Sequence, residues 1–232
     1  MLSGIDVIMR PLRPLRLLRL GRRWPVVGTA YTAMLVGGYI WWILQPPAQR
    51  LSVLADSSTD LAHLEHVPWL VLPASSVWSG NDIGWWMVVT LLCLGALELI
   101  RGPVMTFVTG LVAHVVGTLV SEGLIAARIA AGELSTSARH LMDVGPSYIV
   151  ASCAAAVIAS PRSPRPLRIG CAVAILPVFI TAFDFTDAAQ VATTGHAVSI
   201  VVGVVMARSK LFRNVHLPHL HTVDTAVLVP QR

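Results

Sequence analysis

The sequence predicts an all-helical membrane protein, a bundle of six transmembrane helices built as one polytopic domain. Of its 232 residues, 55% are hydrophobic and only 12% are charged. Soluble domains carry about 25% charged residues, so this chain lacks the polar side chains that would cover a water-soluble globule. The apolar residues also lie in long blocks, and most blocks approach the roughly 17 to 25 residues that a helix needs to cross a bilayer.

Each predicted span is an apolar block bounded by polar, glycine or proline residues, and the fourth and fifth are short. The spans form a membrane domain at 26–207, between a basic amino-terminal segment at 1–25 and a polar tail at 208–232. A long outer loop at 45–83 separates the first two spans. The six blocks are 26–44, 84–100, 104–126, 145–160, 169–183 and 188–207.

The basic residues predict the orientation, because 14 of the 17 Lys and Arg fall on one side of a six-span arrangement. Loops rich in Lys and Arg stay in the cytoplasm, so both termini are expected there. The net charge of +5 then reflects topology and contact with anionic lipid, and no nucleic-acid partner is expected. The excess of Arg over Lys is typical of a GC-rich bacterial genome, which indicates a bacterial plasma membrane. The 14 inner residues are Arg10, Arg13, Arg16, Arg19, Arg22, Arg23, Arg101, Arg162, Arg165, Arg168, Arg208, Lys210, Arg213 and Arg232.

Polar groups that can carry chemistry lie within or at the edge of these spans. Ionisable side chains are costly in lipid and often mark functional sites. Spans four and six both start from the outer side. At about 1.5 Å per residue, Ser147 in the first turn of span four and His196 two turns into span six lie at a similar shallow depth. The whole set is Glu98, His114, Glu122, Asp143, Ser147 and His196.

Small residues predict how spans four and six pack together. Gly195, Ser199 and Gly203 recur at intervals of four along span six, and a matching series that starts at Ser147 continues through alanines along span four. Such series let two backbones approach closely in lipid. Facing each other, they would bring Ser147 within reach of His196.

On these residues the sequence resembles the rhomboid family, the six-helix intramembrane serine proteases. The stretch "LGALELIRG" is similar to the family's glycine-then-glutamate ending of span two. The "GPS" at 145–147 resembles its G-x-S at the start of a short fourth helix, and "GHAVSIVVG" at 195–203 resembles its histidine and glycine motif in span six. The long first loop is the fourth shared feature.

The resemblance implies that Ser147 is a nucleophile and His196 its base. A serine hydroxyl needs an adjacent base to be activated, and a neutral imidazole supplies one. A dyad needs no third acid, because the acid of a triad serves to orient the imidazole. The backbone N–H of Ser147, with Gly145 allowing close approach, would face the developing oxyanion. The substrates would be transmembrane helices of other proteins, cut near the outer leaflet.

Several positions depart from the rhomboid pattern. Tyr148 stands where rhomboids follow the serine with glycine, and Pro146 is similar to the pattern of inactive relatives. The His and Asn that help bind the oxyanion in span two correspond to Ile83 and Met87, and neither side chain donates a hydrogen bond.

Asp143 and His114 do not belong to the usual rhomboid set. Asp143 is expected to cap the start of span four, and the alternative is a role in orienting His196 or another group. His114 is expected to satisfy a neighbour's hydrogen bond, and the alternative is a proton relay or a substitute donor to the site. Glu98 and Glu122 are expected to pair within the bundle or to reach the interfaces.

Three functions remain open at this point. The first is an intramembrane serine protease, and the second is an inactive rhomboid-like pseudoprotease that binds transmembrane clients. The third, a small proton-coupled carrier, fares worst because such carriers are built from paired repeats and no repeat is visible.

No cofactor and no metal are expected. Histidines in the first loop and in the tail have metal-like spacing, but neither group has a complete ligand set. The three cysteines all fall at membrane depth, which indicates buried free thiols and no disulfide framework. The histidines concerned are His63, His66, His216, His219 and His221.

Overall fold

The computed structural model describes residues 24–182 and 187–209, and all regular secondary structure in these ranges is helical. The basic segment before residue 24 and the tail histidines His216, His219 and His221 lie outside the described residues. Two short 3₁₀ turns, Pro47–Gln49 and Thr136–His140, lie between helices. The helices are α1 Val26–Ile43, α2 Arg50–Asp56, α3 Leu61–His66, α4 Pro68–Ser75, α5 Ile83–Arg101, α6 Pro103–Ala130, α7 Ser147–Ala159, α8 Arg165–Ala182 and α9 Asp187–Arg208.

Each of the six predicted blocks coincides with one of these helices. Four helices are long and apolar enough to cross a membrane: α1, α5, α6 and the Val191–Arg208 part of α9. Helix α7 is apolar but has only 13 residues, and α8 begins with Arg165 and Arg168 in its first turn. The prediction of an all-helical membrane protein is therefore confirmed, whereas the count of six crossings and the orientation of the termini stay predictions.

Helix α7 lies at the centre of the bundle, in contact with α5, α6, α8 and α9. Its residues from Val150 to Val157 are all buried. A short helix suffices here because other helices surround it, and backbone groups of the irregular chain before it are hydrogen-bonded to the first loop. The core around it includes the three cysteines, all free and buried. Its largest members are Val89, Cys93, Leu94, Leu97, Val150, Cys153, Val157, Cys171 and Ile175.

The long first loop is itself helical, and part of it packs into the bundle. Val71 in α4 is fully buried. The hydroxyl of Tyr31 in α1 donates a hydrogen bond to the carbonyl of Ser76, just after α4, at 2.7 Å. Helix α4 therefore lies against the transmembrane helices and closes part of one side of the bundle.

The connection between α5 and α6 is a single residue. Gly102 has a φ of +86°, a left-handed conformation that glycine adopts without steric cost. Pro103 follows as the first residue of α6, where its fixed φ suits a helix start and its missing N–H costs nothing. This tight turn places the start of α6 directly beside the end of α5.

Glu98 near the end of α5 caps the start of α1. Its carboxylate accepts hydrogen bonds from the backbone N–H groups of Val26, Val27 and Gly28, at 2.8, 2.8 and 3.1 Å. The first N–H groups of a helix have no partner within it, and their partial positive charge favours an anion. Glu98 therefore pairs within the bundle, as expected, and its partners are the N–H groups at the start of α1. These hydrogen bonds connect α1 to α5 at this end.

Candidate functional site

Helix α7 starts at Ser147, and its first turn lacks a side-chain cap. Pro146 occupies the N-cap position and no side chain accepts a hydrogen bond there. The prediction that Asp143 caps this helix is therefore wrong. The reason is Gly145, whose φ of +132° turns the chain so that Asp143 is directed to the first loop. The N–H groups of the first turn of α7, including that of Ser147, therefore have no side-chain acceptor.

Asp143 instead binds the first loop. Its carbonyl accepts hydrogen bonds from the N–H and hydroxyl of Thr59, at 3.1 and 3.0 Å. Its own N–H donates to the hydroxyl of Ser58 at 2.9 Å, and Gly145 N–H donates to the Ser75 carbonyl at 2.8 Å. The loop is thus fastened to the chain that enters α7.

The carboxyl group of Asp143 keeps its proton to a higher pH than the carboxyl group of a solvent-exposed Asp does. Burial raises its pKa to about 6, although the nearby hydroxyls of Tyr148 and Thr59 oppose the shift. Asp60 and Glu122 lie close enough to interact electrostatically with the same region. Three acids therefore lie near one another at the end of the bundle where α7 starts.

His196 meets Tyr148 instead of the hydroxyl of Ser147. The rings of His196 and Tyr148 lie 5.1 Å apart between centroids and are nearly perpendicular, at 85°. Within the described residues, neither ring nitrogen of His196 is hydrogen-bonded to Ser147, and the backbone of Ala192, one turn earlier in α9, lies close to the ring instead. The predicted Ser147–His196 dyad is therefore not assembled in this arrangement.

The Tyr148 ring occupies the close approach between α7 and α9. A Cβ atom added to Gly195 would lie 2.1 Å from the ring carbon Cζ and from the hydroxyl oxygen of Tyr148. Real Cβ atoms do not approach other atoms so closely, so only glycine fits at this position. The phenol thus lies directly over the backbone of α9, one residue before His196.

Farther along α9, Gly203 and Ser199 make two different contacts. A Cβ at Gly203 would lie 2.1 Å from the carbonyl oxygen of Ser152 in α7. The hydroxyl of Ser199 donates to the carbonyl of Ala113 in α6 at 3.2 Å. Tyr148 and Ser152 of α7 thus contact the glycines of α9, and each lies one position after the residue that the sequence pattern placed there.

His114 joins α6 to the first loop. Its Nε2 lies 2.8 Å from the carbonyl oxygen of Leu72 and 3.3 Å from the hydroxyl of Ser75. A carbonyl only accepts, so Nε2 carries the proton, and in a neutral imidazole Nδ1 is then an acceptor. The ring lies 6.2 Å from that of Tyr148. His114 therefore satisfies the hydrogen-bonding groups of the neighbouring first loop, which is the first of the two roles predicted for it.

Glu122 in α6 is almost completely buried, with 1% of its surface exposed. The backbone of Leu61, at the start of α3, approaches its carboxylate, and the acids Asp60 and Asp143 lie close by. In the first loop, Nδ1 of His63 lies 2.9 Å from a carboxylate oxygen of Asp60. One of the two histidines with metal-like spacing in this loop is therefore paired with an acid.

Two residues of the site were missed or given too little weight from the sequence. Gly117 in α6 faces the meeting point of the helices, because a Cβ there would lie 2.7 Å from the Ser199 hydroxyl and 3.3 Å from Tyr148. Its spacing of seven from Gly110 in the same helix was the available indication. Tyr148 was noted only as a departure, yet its ring is what α9 contacts.

In span two, the structure offers no donor where rhomboids have one. Ile83 is the first residue of α5 and Met87 is exposed on its outer surface. Asn81 and Asp82 precede the helix and are also exposed. A tetrahedral intermediate at Ser147 would therefore find no side-chain oxyanion donor from these positions.

Fold and site together define an all-helical membrane protein with a buried short helix, a structured first loop, and a serine and a histidine on facing helices. A family model described as "Rhomboid-like protein" matches residues 27–214. The chain belongs to this rhomboid-like protein family. No curated protein and no solved structure matches the chain significantly.

Proposed function

We propose that the protein is a non-catalytic rhomboid-like membrane protein that binds transmembrane segments of client proteins without cutting them. One observation carries the proposal: the Tyr148 ring packs against His196 where a catalytic base would meet the serine. A serine hydroxyl that is not hydrogen-bonded to a base is a weak nucleophile at neutral pH.

The oxyanion side of the site supports the same conclusion. Loss of one preorganised oxyanion donor lowers the rate by about a hundred- to a thousand-fold. Ile83 and Met87 supply none, so peptide-bond hydrolysis at Ser147 would depend on the backbone N–H groups of the first turn of α7 alone.

A client helix has a suitable surface on α8. Ile169, Val173, Leu176 and Ile180 are all exposed, between 54% and 67%. Their spacing of four, three and four residues is the spacing at which two helices pack side by side. This apolar row faces away from the core and is available to a helix that approaches through the membrane.

The first test is labelling with a fluorophosphonate probe, which reacts with activated serines. We expect wild-type protein to label no more than Ser147→Ala or His196→Ala, with all three equally folded in detergent. Labelling of the wild type that disappears in both variants would contradict the proposal and would support the alternative below.

Client binding is tested with a photo-crosslinking residue at Leu176 of α8, in native membranes. The matched control is Leu119, which is similarly exposed at 54% but lies on α6. We expect adducts with membrane proteins from position 176 and few from position 119. Equal adducts from both positions would mean that α8 has no special role.

The second candidate is the intramembrane serine protease itself. The observation in its favour is that Ser147 directly precedes the residue that touches His196 and lies in the uncapped first turn of α7. Movement of one side chain, Tyr148, would open the path between the serine and the histidine. The labelling experiment separates this candidate from the first.

A further inference from the structure

Three arginines lie close together in sequence where the turn after α7 leads into α8. Arg162 and Arg165 are exposed, and Arg168 is half-buried. None of the three forms an ion pair with an Asp or Glu of the described residues. Their guanidinium groups therefore concentrate positive charge at one place on the end of the bundle.

The helix that follows adds to this positive charge. Helix α8 begins at Arg165 and has no acidic residue in its first turn. The first N–H groups of a helix have no partner within it, and the macrodipole places partial positive charge at this end. Arginines are unfavourable at a helix start for the same reason, unless an anion binds between them.

Buried polar groups without a partner lie in the same turn. The hydroxyls of Ser160 and Ser163 belong to residues that are 0% and 6% exposed, and neither has a hydrogen-bond partner among the described residues. The Nε of Arg168 is also buried without a partner there. Buried polar groups are nearly always hydrogen-bonded, so three donors without an acceptor in one turn indicate a ligand that accepts.

The Arg168 side chain is held beside this turn by a hydrogen bond. Its Nη2 donates to the carbonyl of Ser160 at 2.7 Å, and the N–H of Ser163 donates to the same carbonyl at 3.1 Å. The guanidinium group is therefore fixed near Ser163 while its other N–H groups remain to bind a ligand. Its planar fork of donors matches the oxygens of a phosphate group.

The position of the turn along α8 distinguishes a lipid headgroup from a soluble anion. The exposed apolar row of α8 begins at Ile169, four residues after Arg165. This separation is about 6 Å along the helix axis, and the headgroup region is about 5–7 Å deep on each side of the hydrocarbon core. If Ile169 lies at the edge of the hydrocarbon, the three arginines lie at the depth of the lipid phosphates.

We propose that the turn between α7 and α8 binds the phosphate group of a membrane phospholipid, through the guanidinium groups of Arg162, Arg165 and Arg168 and the hydroxyl of Ser163. Free inorganic phosphate has the same binding chemistry, and the depth of the turn favours the lipid. The proposal requires α8 to lie in the membrane, but it holds for either direction of crossing. It is also independent of whether Ser147 is active.

The test is native mass spectrometry of the purified full-length protein in a neutral detergent. The protein is titrated with phosphatidylglycerol and, separately, with diacylglycerol of the same acyl chains, which lacks the phosphate. We expect wild type to bind phosphatidylglycerol roughly tenfold more tightly than diacylglycerol, and Arg165→Gln to lose most of this difference. Equal binding of both lipids by wild type, or an unchanged difference in folded Arg165→Gln protein, would overturn the proposal.

The matched control is Arg208→Gln, which removes an exposed arginine at the end of α9. It lowers the net charge by the same amount as Arg165→Gln but leaves the turn between α7 and α8 unchanged. We expect it to bind phosphatidylglycerol as wild type does. An equal loss of binding in Arg208→Gln and Arg165→Gln would show a general effect of charge and would overturn a site at this turn.

Two further measurements test the hydroxyl and the source of the phosphate. Ser163→Ala removes a buried hydroxyl that has no partner in the described protein, so it should not lower the melting temperature in lipid-free detergent. It should nevertheless weaken the binding of phosphatidylglycerol, and unchanged binding would overturn the assignment of Ser163. Inorganic phosphate at the same concentration should not displace the lipid, because it lacks acyl chains. Displacement would show that the site takes free phosphate and would overturn the assignment of a lipid.

Discussion

At the residue scale, Tyr148 decides what the site can do. Rhomboids have glycine after the serine, and here the phenol of Tyr148 lies over Gly195 and against His196. Tyr148→Gly removes the ring and restores the family's residue. We expect fluorophosphonate labelling that depends on Ser147 to appear in this variant, and to remain absent in Tyr148→Phe, which keeps the ring.

The control for this result is the double variant Tyr148→Gly/His196→Ala, in which the base is also removed. Labelling by Tyr148→Gly that persists without His196 would show a reactive serine but no dyad. Absence of labelling in a folded Tyr148→Gly protein would show that the missing oxyanion donors, and not the ring, prevent catalysis.

Gly195 and Tyr148 form a pair whose energies should be coupled. A methyl group at Gly195 would meet the Tyr148 ring at 2.1 Å, and overpacking of this kind costs about 1–3 kcal/mol. We expect Gly195→Ala to lower the free energy of unfolding in a denaturing-detergent titration, and Tyr148→Gly to relieve most of that cost. Gly123→Ala is the control, because nothing lies within 4 Å of a Cβ at that position. Equal effects of Gly195→Ala with and without Tyr148 would contradict the pairing.

The sequence indicated which residues matter at the site but not how they meet. Ser147 and His196 stand out because each lies in a motif that resembles one of the rhomboid family, and because an ionisable imidazole is rare at membrane depth. The contact that forms depends on rotation of α7 about its axis by one residue, and small residues at many positions of both helices allow either rotation. The bulk of Tyr148 favours the observed one, because only Gly195 leaves room for a ring.

At the element scale, two contacts connect segments that are far apart in sequence. The first is the cap on α1, in which Glu98 binds three backbone N–H groups. Hydrogen bonds to a charged group contribute about 1.5–3 kcal/mol each. We therefore expect Glu98→Leu to destabilise the protein by several kcal/mol, and Glu98→Gln by less, because the amide oxygen still accepts. A stability ranking with Gln below Leu in the same detergent titration would refute the cap as the cause.

The second contact is that of Asp143 with the first loop, and it predicts a dependence on pH. The pKa of Asp143 is raised from 3.8 to about 6 by burial, so the folded state holds this proton more tightly than the unfolded chain does. Its contribution to stability is present below about pH 4 and is lost as the pH rises through 6, by up to about 3 kcal/mol.

The measurement is the unfolding free energy of wild type and Asp143→Asn between pH 4 and pH 7. We expect the variant to gain stability relative to wild type as the pH rises. The control is Asp56→Asn, at an exposed position of the first loop. It shows how the loss of a solvated carboxyl group affects stability. A difference between wild type and Asp143→Asn that does not change with pH would contradict the buried carboxyl.

Helices were predictable as elements because length and apolar composition are local properties. Their ends were less so. Asp143 had the composition of a cap for α7, but Gly145 directs it to Ser58 and Thr59, a contact between residues more than 80 positions apart. The partner of Glu98 was not predictable either, because the helix start that it caps lies about 70 residues earlier in the chain.

At the scale of the whole molecule, the predicted orientation has consequences that chemical labelling can check. Gln49, Glu133 and Arg162 are exposed and lie in three different connections. In the predicted orientation the first two face outward and the third inward. We expect a membrane-impermeant maleimide, applied to intact spheroplasts, to label Gln49→Cys and Glu133→Cys but not Arg162→Cys.

The three native cysteines are buried, so we expect them to add little labelling to that of the introduced cysteines. Labelling of Arg162→Cys after lysis shows that the site is reactive. Labelling in intact spheroplasts at 162 with none at 49 would mean the opposite orientation.

The Glu98 cap also affects how the chain is made. The carboxylate that completes α1 lies 72 residues after Val26, and synthesis at 5–20 residues per second delivers it roughly 4 to 14 s later. During that interval the first N–H groups of α1 need another acceptor, and water at the membrane surface is the one at hand. We therefore expect nascent chains arrested before residue 98 to leave the start of α1 open to solvent, and α1 to settle only after α5 has entered the bilayer.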